Sequence, residues 1–276
     1  MTERSAQFSD PLTRVWDPDT RIGDMLRGKR GLVVGVANES SIAYGCAAKL
    51  RAFGAALAIT YLNEKAEPHV RPLAEQLEAS LILPLDVQKP GELQAVFDRI
   101  KEEWGGLDFI IHSIAFAPRE DLHGRVVDCS EEGFSQAMRV SCYSFIEMAR
   151  LAEPLMDNGG ALITMSYYGA DKVIGHYNMM GPVKSALEAS VRYLANELAP
   201  KGIRTFAVSP GPLKTRAASG IDAFDQLVAE AVKRAPAHRL VDIAEIGRIV
   251  SFLVSGASSG MTGETIYIDG GLHHVG

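Results

Sequence analysis

The stretch Leu32-Val33-Val34-Gly35-Val36-Ala37-Asn38-Glu39-Ser40-Ser41-Ile42-Ala43-Tyr44-Gly45 joins a short β-rich run to a helical pattern through a glycine-containing turn. After the turn, apolar residues recur at helical spacing at Ile42, Cys46, Leu50 and Phe53. A β-rich run, a tight turn and a helix in this order predict the first unit of an alternating strand–helix fold.

The same alternation continues to the C-terminus. We predict six further strands, at 56–61, 81–85, 107–113, 161–165, 203–209 and 265–268. Near-continuous apolar strands are typical of a parallel sheet that is covered on both faces. We also predict one helical stretch over 134–156 with a break near Ser141, and a long helix that begins at Pro182. The fold class is therefore α/β: a single doubly wound, Rossmann-like domain with a parallel sheet of about seven strands and helices on both faces.

Composition excludes several classes of protein. The net charge of −6 supplies no basic face for nucleic acid. The three scattered cysteines, Cys46, Cys129 and Cys142, fit neither a metal site nor a disulfide framework, and they favour a reducing, cytoplasmic compartment. No apolar run reaches the 18 residues of a membrane span, so we expect no membrane insertion.

The turn after the first strand is the first candidate binding site, because ligands of doubly wound sheets bind at the carboxyl ends of the strands. Gly35 suits a tight turn, and Ser41 is placed to cap the following helix and to offer a hydroxyl. Ala43 and Gly45 are small enough to bring that helix close to the sheet. The turn is a degenerate form of a pyrophosphate-binding sequence, and an ordinary strand-to-helix turn is the alternative.

The ends of the second and third strands bear on the choice of dinucleotide. Leu62-Asn63-Glu64-Lys65 contains no arginine to pair with a 2′-phosphate, so it favours NADH, with NADPH as the alternative. Asp86, followed by Val87, is placed to accept a hydrogen bond from an adenine amino group. A turn aspartate is an equally good interpretation of Asp86.

Two tyrosine–lysine pairs compete in the crossover from Ser166 to Lys184. Tyr168 and Lys172 are four residues apart, whereas Tyr177 and Lys184 are seven apart. Both separations return to the same helical face, so spacing does not decide between them. Lys184 lies in a strongly periodic helix, and a preorganised proton donor belongs on a rigid element. We therefore assign Tyr177 and Lys184, and we expect the lysine to lower the pKa of the phenol.

These residues carry a family resemblance. Tyr177-x6-Lys184, with Tyr167 ten residues before Tyr177, resembles the enoyl-acyl-carrier-protein reductase branch of the short-chain dehydrogenase/reductase superfamily. The resemblance runs from about residue 28 to 271. It includes the first turn (35–37 with 41–45) and the segments 112–118, 211–215, 217–221 and 269–271.

The resemblance implies NADH-dependent reduction of a trans-2-enoyl thioester carried on acyl carrier protein. The implied catalytic residues are Tyr177, Lys184 and Tyr167, and the implied substrate contacts are Tyr167, Tyr177 and Ala117. The implied cofactor contacts are Gly35, Ser41, Ile42, Leu62, Asp86, Val87, Ile114, Lys184, Leu213, Lys214, Thr215, Arg216 and Ala217. No metal is implied.

Residues 1–28 have mixed charges and no apolar core, so we predict an N-terminal extension there, for which the family offers no counterpart. Residues 29–276 would form the dinucleotide-binding catalytic domain, in which the resemblance implies a substrate lid near 213–235. The implied assembly is a homotetramer. Two rival functions remain at this point: a ketone or alcohol reductase of the same superfamily, such as a 3-oxoacyl reductase, and a regulator that senses NADH without turnover.

Overall fold

One parallel sheet forms the centre of the molecule. The computed structural model of the chain describes residues 22–213, 215 and 224–275. Its strands are β1 (Arg30–Val34), β2 (Ala56–Tyr61), β3 (Leu81–Pro84), β4 (Phe109–His112), β5 (Gly160–Met165), β6 (Ile203–Pro210) and β7 (Thr265–Ile268). They lie in the order β3-β2-β1-β4-β5-β6-β7, and each neighbouring pair is parallel. The predicted fold class is confirmed.

The helices connect these strands. They are α1 (Ile42–Ala52), α2 (Glu67–Gln76), α3 (Glu92–Trp104), α4 (Arg119–Leu122), α5 (Glu131–Met138), α6 (Ser144–Ala152), α7 (Met180–Leu198), α8 (Phe224–Arg234) and α9 (Ile243–Val254). The sequence analysis missed α4 and placed the region of α8 in a lid without assigning a helix. It also began α7 two residues too late, because Pro182 is tolerated in the first turn of a helix, where its missing N–H has no partner to lose.

The predicted break near Ser141 is a π-helical turn, Arg139–Tyr143, between α5 and α6. The Ser141 hydroxyl accepts a hydrogen bond from the Phe116 N–H at 2.9 Å and donates one to the Phe116 carbonyl at 3.2 Å. This hydroxyl therefore fixes the loop that follows β4. Such single-turn π segments are often found at functional sites.

The two faces of the sheet carry separate cores, because successive strand residues point to opposite faces. Leu32 and Val34 of β1 pack in a cluster with residues of α3, α6 and α7, whereas Val33 packs with residues of α1, α2 and α9. Leu26, in the described part of the predicted N-terminal extension, is fully buried in the second cluster. Residues 1–21 lie outside the described part of the chain.

Gly45 does not serve the role predicted for it. A Cβ at Gly45 would lie 2.6 Å from the Ile243 Cβ, and a Cβ at Gly247 would lie 2.4 Å from the Gly45 carbonyl oxygen. These two glycines let α1 approach α9, so the close contact at Gly45 is between two helices rather than between a helix and the sheet. Ala43, by contrast, lies in the first turn of α1 and is buried in the core cluster between that helix and the sheet.

The described residues contain neither a candidate membrane-spanning helix nor a candidate metal site. Within 22–213, 215 and 224–275, no helix is both long and apolar enough to cross a membrane. The same residues contain no group of three or more His, Cys, Asp or Glu side chains placed to hold a metal ion.

Candidate active site

Tyr177 lies between two residues in the left-handed backbone region. His176 has φ 63° and Asn178 has φ 45°, a conformation that non-glycine residues rarely adopt and that is concentrated at functional sites. The Tyr177 side chain is 9% exposed and packs with Met179 and Val183. The segment before α7 therefore holds this ring in one place.

Tyr167 meets the ring of Tyr177 directly. Their centroids are 4.8 Å apart with an interplanar angle of 61°, an edge-to-face arrangement. Gly169 allows this approach, because a Cβ there would lie 2.5 Å from a Tyr177 ring carbon. Ala117, which follows β4, packs against the same cluster. The structure thus brings together all three residues predicted to contact substrate.

Lys184 lies in the second turn of α7 and is only 5% exposed. Its Nζ donates a hydrogen bond of 2.7 Å to the carbonyl of Met165, the last residue of β5. Met165 is two residues before Tyr167, so this hydrogen bond ties Lys184 to the backbone just before Tyr167 and Tyr168. Burial lowers the pKa of Lys184 to about 8.

The predicted lowering of the phenol pKa is wrong, because the pKa of Tyr177 is raised. Burial raises the pKa of Tyr177, and the neighbouring Tyr167 and Glu188 raise it further. The pKa of Tyr167 is also raised, mainly by burial. Loss of water disfavours the charged phenolate, so both tyrosines are neutral hydroxyl donors.

The other tyrosine–lysine pair is arranged differently. The ring of Tyr168 is buried against Ala231, Ala235 and Leu272, on the α8 side. The Lys172 side chain is 60% exposed and forms an ion pair of 3.3 Å with its neighbour Asp171. Tyr168 is thus a packing residue and Lys172 a surface residue.

At the predicted pyrophosphate turn, Gly35 has φ 110°, and a Cβ there would lie 2.1 Å from the Ser113 carbonyl oxygen. Only glycine allows this contact between the ends of β1 and β4. Ile114, the next residue after Ser113, packs on the core beside α3.

Ser41 occupies the N-cap position of α1, but it does not cap the helix. Its hydroxyl donates to the Asn38 carbonyl at 2.6 Å and accepts from the Ala37 N–H at 3.4 Å. The first turn of α1, which begins at Ile42, therefore keeps its amides uncapped by the Ser41 side chain. A helix N-terminus of this kind, at the strand-order reversal between β1 and β4, suits a phosphate group.

The ends of β2 and β3 lie along the same edge of the sheet. Leu62 is 54% exposed just after β2. One Asp86 carboxylate oxygen accepts a hydrogen bond of 3.0 Å from the Gln88 N–H, which is a turn contact. Val87 is buried.

The end of β6 supplies the remaining predicted cofactor residues. Leu213 is partly buried against the core cluster that includes Val33, and the Thr215 N–H donates to the Leu213 carbonyl at 2.8 Å. Ser209, near the carboxyl end of β6, has a fully buried hydroxyl without a hydrogen-bond partner among the described residues. Lys214, Arg216 and Ala217 lie outside the described residues.

A cavity of about 300 Å³ opens beside Tyr167 and is lined on its far side by α8. Its apolar lining includes Val173, Ile174, Leu227 and Ala231. The cavity is large enough for part of an acyl chain, since ligand pockets begin at about this size.

His112 is the satisfied core histidine that an apolar strand favours. It is fully buried, with Thr164 Oγ at 2.8 Å from Nδ1 and Ser144 Oγ at 2.8 Å from Nε2. Ser144 donates its own proton to the Val140 carbonyl, so it accepts from Nε2–H, and Thr164 donates to Nδ1. Burial, followed by the charge of Lys184, lowers the pKa of His112 to about 3, so the ring stays neutral.

The sequence analysis missed one charged residue of this region. Glu188 is 8% exposed, one helical turn after Lys184 on the buried face of α7, and it accepts a hydrogen bond of 2.5 Å from the Ser166 hydroxyl. A carboxylate four residues after the predicted catalytic lysine, inside an apolar stripe, is the sequence signal that could have revealed it.

Comparison with known proteins identifies the family of this chain. The family model described as Enoyl-(Acyl carrier protein) reductase matches residues 35–273. An enoyl-[acyl-carrier-protein] reductase [NADH] from Rhizobium meliloti is 45% identical over 91% of this chain and 93% of its own length. Another, from Synechocystis, is 45% identical over 91% of this chain and 98% of its own length.

Solved structures give the same result. The reductase of Anaplasma phagocytophilum, in complex with NAD, superposes with a TM-score of 0.89 at 45% identity, over 93% of this chain and 98% of that one. The Bacillus cereus enzyme, with NADP+ and indole naphthyridinone, gives a TM-score of 0.90 at 44% identity, over 92% of this chain and 99% of that one. The chain belongs to the enoyl-(acyl carrier protein) reductase family.

Proposed function

We propose that this chain reduces trans-2-enoyl thioesters carried on acyl carrier protein, with NADH as the reductant, as a step of fatty acid biosynthesis. The observation that carries the proposal is the contact of Tyr167 with Tyr177, together with the buried Lys184, which is hydrogen-bonded to the carbonyl of Met165 two residues before Tyr167. The names of the Rhizobium meliloti and Synechocystis relatives state the same activity and the same cofactor.

The cofactor site rests on the sheet edge. The reversal of strand order between β1 and β4, the close approach at Gly35 and the uncapped start of α1 fit a dinucleotide. In the proposal, Gly35, Ser41 and Ile42 hold the pyrophosphate. The adenosine lies along the ends of β2 and β3, against Leu62, Asp86, Val87 and Ile114. The segment 213–217 follows the pyrophosphate toward the nicotinamide.

NADH, when bound, supplies the hydride that is added to the β-carbon of the enoyl group. Negative charge then grows on the thioester carbonyl oxygen. Tyr177 donates a hydrogen bond to that oxygen, and this bond strengthens as the charge develops, which is selective stabilisation of the transition state. Because its pKa is raised, Tyr177 holds its proton and acts as a neutral donor.

Lys184 and Tyr167 complete the proposed site. Lys184 binds the nicotinamide ribose hydroxyls and adds positive potential near the reacting atoms. Tyr167 lines the acyl pocket beside the reacting carbons, opposite Ala117. The cavity next to Tyr167 continues this apolar surface toward α8. The segment 213–235 acts as the lid that excludes water from the forming enolate.

The choice of NADH rests on the second strand. The exposed residues after β2 include Glu64 and no arginine, so no guanidinium is offered to a 2′-phosphate there. NADPH is the alternative to test, since the Bacillus cereus structure carries NADP+. The proposed assembly is a homotetramer and the proposed compartment is the cytoplasm.

The direct test is an NADH oxidation assay with a crotonyl or longer enoyl thioester, repeated with NADPH and with a 3-oxoacyl thioester. We expect NADH to be consumed with the enoyl substrate and not with the 3-oxoacyl substrate. Consumption only with the 3-oxoacyl substrate identifies a ketone reductase. Binding of NADH without turnover of either substrate identifies a sensor.

A further inference from the structure

Glu188 is a buried acid that the proposed reaction does not use. It projects from α7 one turn after Lys184, and both side chains lie on the buried face of the helix. Carboxylates are almost never buried without a partner, because loss of hydration is costly. The partners of Glu188 therefore indicate what it does.

The first partner is Ser166, which is 6% exposed and immediately precedes Tyr167. The Ser166 hydroxyl donates to Glu188 Oε1 at 2.5 Å, within the range of a charge-assisted bond. The Ser166 N–H is bound to the Val208 carbonyl of β6 at 2.7 Å. Glu188 thus fixes the residue that directly precedes Tyr167 in the chain.

The second relevant neighbour of Glu188 is Lys184, one turn earlier on α7. Its ammonium is buried and donates a hydrogen bond of 2.7 Å to the Met165 carbonyl. A carboxylate one turn away favours the charged form of the lysine and opposes the effect of burial. Burial raises the pKa of Glu188, and hydrogen bonds from Ser166 and Thr265 together with the charge of Arg192 act in the opposite direction and favour its ionised form.

Other groups face this pair from the surrounding elements. Lys184 is met by His112 of β4 and by Cys142 of the π-helical turn. Glu188 is met by Tyr177 before α7 and by Tyr267 of β7. The pKa values of Cys142, Tyr177 and Tyr267 are raised and that of His112 is lowered, so these four are neutral at pH 7 and Glu188 is the carboxyl group among the neighbours of Lys184.

We propose that Glu188 is a positioning residue of the reaction: it keeps Lys184 protonated for cofactor binding, and through Ser166 it holds Tyr167 against the acyl group. The inference rests on the proposed function, because it assigns Lys184 its ribose contact and Tyr167 its place beside the substrate. It makes Glu188 and Ser166 one unit with the catalytic tyrosines, although neither touches the substrate.

The test is the pH dependence of kcat and of the KM for NADH in wild type, Glu188→Gln and Ser166→Ala. Glutamine keeps the shape and an acceptor for Ser166 but removes the charge. The Lys184 ammonium is then less favoured, so the alkaline fall of activity moves about one pH unit lower and the KM for NADH rises most above neutral pH. Ser166→Ala keeps the Glu188 carboxylate but removes a hydrogen bond that favours its ionised form. The alkaline fall of activity in this variant should therefore also move to lower pH, but by less than in Glu188→Gln.

Glu197→Gln is the matched control, because Glu197 lies on the same helix but is exposed. Its profile is expected to match wild type. Profiles of Glu188→Gln and Ser166→Ala that superpose on wild type would overturn the proposal. If Glu188→Gln does not fold, Ser166→Ala alone decides: a lower alkaline fall supports the proposal and an unchanged one overturns it. Failure of wild type to oxidise NADH with enoyl thioester is a failure of the proposed function instead, and the assay on wild type separates the two.

Discussion

The crossover contains two tyrosine–lysine pairs whose contacts differ. In the pair Tyr177/Lys184, both side chains are buried, and the lysine is bonded to the end of β5. In the pair Tyr168/Lys172, the tyrosine packs under α8 and the lysine lies in solvent beside Asp171. The two tyrosines are equally buried, so the pairs are distinguished by the lysine: Lys184 is buried on a helix, whereas Lys172 is exposed, and this difference rather than sequence spacing favours Tyr177/Lys184 as the preorganised pair.

The largest expected difference is between the two tyrosines. Tyr177→Phe removes the donor to the developing negative charge, and we expect kcat to fall about 10²–10³-fold in the enoyl thioester assay. Tyr168→Phe removes a hydroxyl from a packing residue, and we expect kcat within about threefold of wild type. Equal losses in both variants would break the comparison.

The two lysines provide the next test. Lys184→Met removes a buried cation at the proposed ribose site, so we expect kcat/KM for NADH to fall about 10–10²-fold. The matched change Lys172→Met removes a surface cation and is expected to leave kcat/KM for NADH unchanged. Steady-state kinetics at varied NADH measures both. A larger loss in Lys172→Met would reverse the assignment.

Asn178 tests whether the strained segment positions Tyr177. Its Nδ2 donates to the Leu122 carbonyl at 2.8 Å, and its backbone is left-handed. Asn178→Gly keeps the backbone conformation and loses the hydrogen bond, whereas Asn178→Ala loses both. We expect about a tenfold fall in kcat for alanine and a smaller fall for glycine, with losses in the free energy of unfolding of about 1–2 kcal/mol for alanine. A larger loss of kcat in the glycine variant than in the alanine variant would contradict the role of the backbone.

His112 tests the dry environment that the pair Tyr177/Lys184 shares. Its pKa is about 3 in the folded protein, against an ordinary 6.5, so below pH 6.5 the unfolded chain binds a proton that the native state refuses. Stability is therefore complete above pH 6.5 and is lost as the pH falls toward 3. Between pH 6.5 and 5 this loss is about 2 kcal/mol.

Urea unfolding at pH 6.5 and pH 5 measures that loss in wild type and in His112→Gln. Glutamine does not titrate, so the variant should lose about 2 kcal/mol less than wild type over this interval, although it starts from a lower stability. The exposed His69 provides the control, and His69→Gln should follow wild type. The same loss in His112→Gln and wild type would show that His112 is not held neutral.

Much of the fold follows from local pattern. The predicted strand at 265–268 matches β7, and the break near Ser141 is where the π-helical turn lies. The residues of α8 were predicted only as part of the substrate lid, and no helix was assigned to them. Their apolar residues were interpreted as a surface that closes over the substrate. The start of α7 was set too late, because proline was read as a boundary.

The site is less accessible to sequence reasoning, because it depends on contacts between distant segments. The edge-to-face contact of Tyr167 with Tyr177 and the pairing of Ser166 with Glu188, 22 residues later, appear only once β5 and α7 are packed together. The raised pKa of Tyr177 follows from burial that spacing does not reveal. The role of Gly45 likewise depends on its contact with α9, a helix that begins about 200 residues later in the sequence.

Single-turnover transfer of hydride from NADH to an enoyl thioester tests the central claim most directly, because it measures the chemical step without product release. With enzyme in excess, the loss of nicotinamide absorbance is followed for wild type, Tyr177→Phe and Tyr168→Phe. We expect a rate reduced at least about 10²-fold in Tyr177→Phe and close to wild type in Tyr168→Phe. A wild-type rate in Tyr177→Phe together with a slow Tyr168→Phe would contradict the central claim.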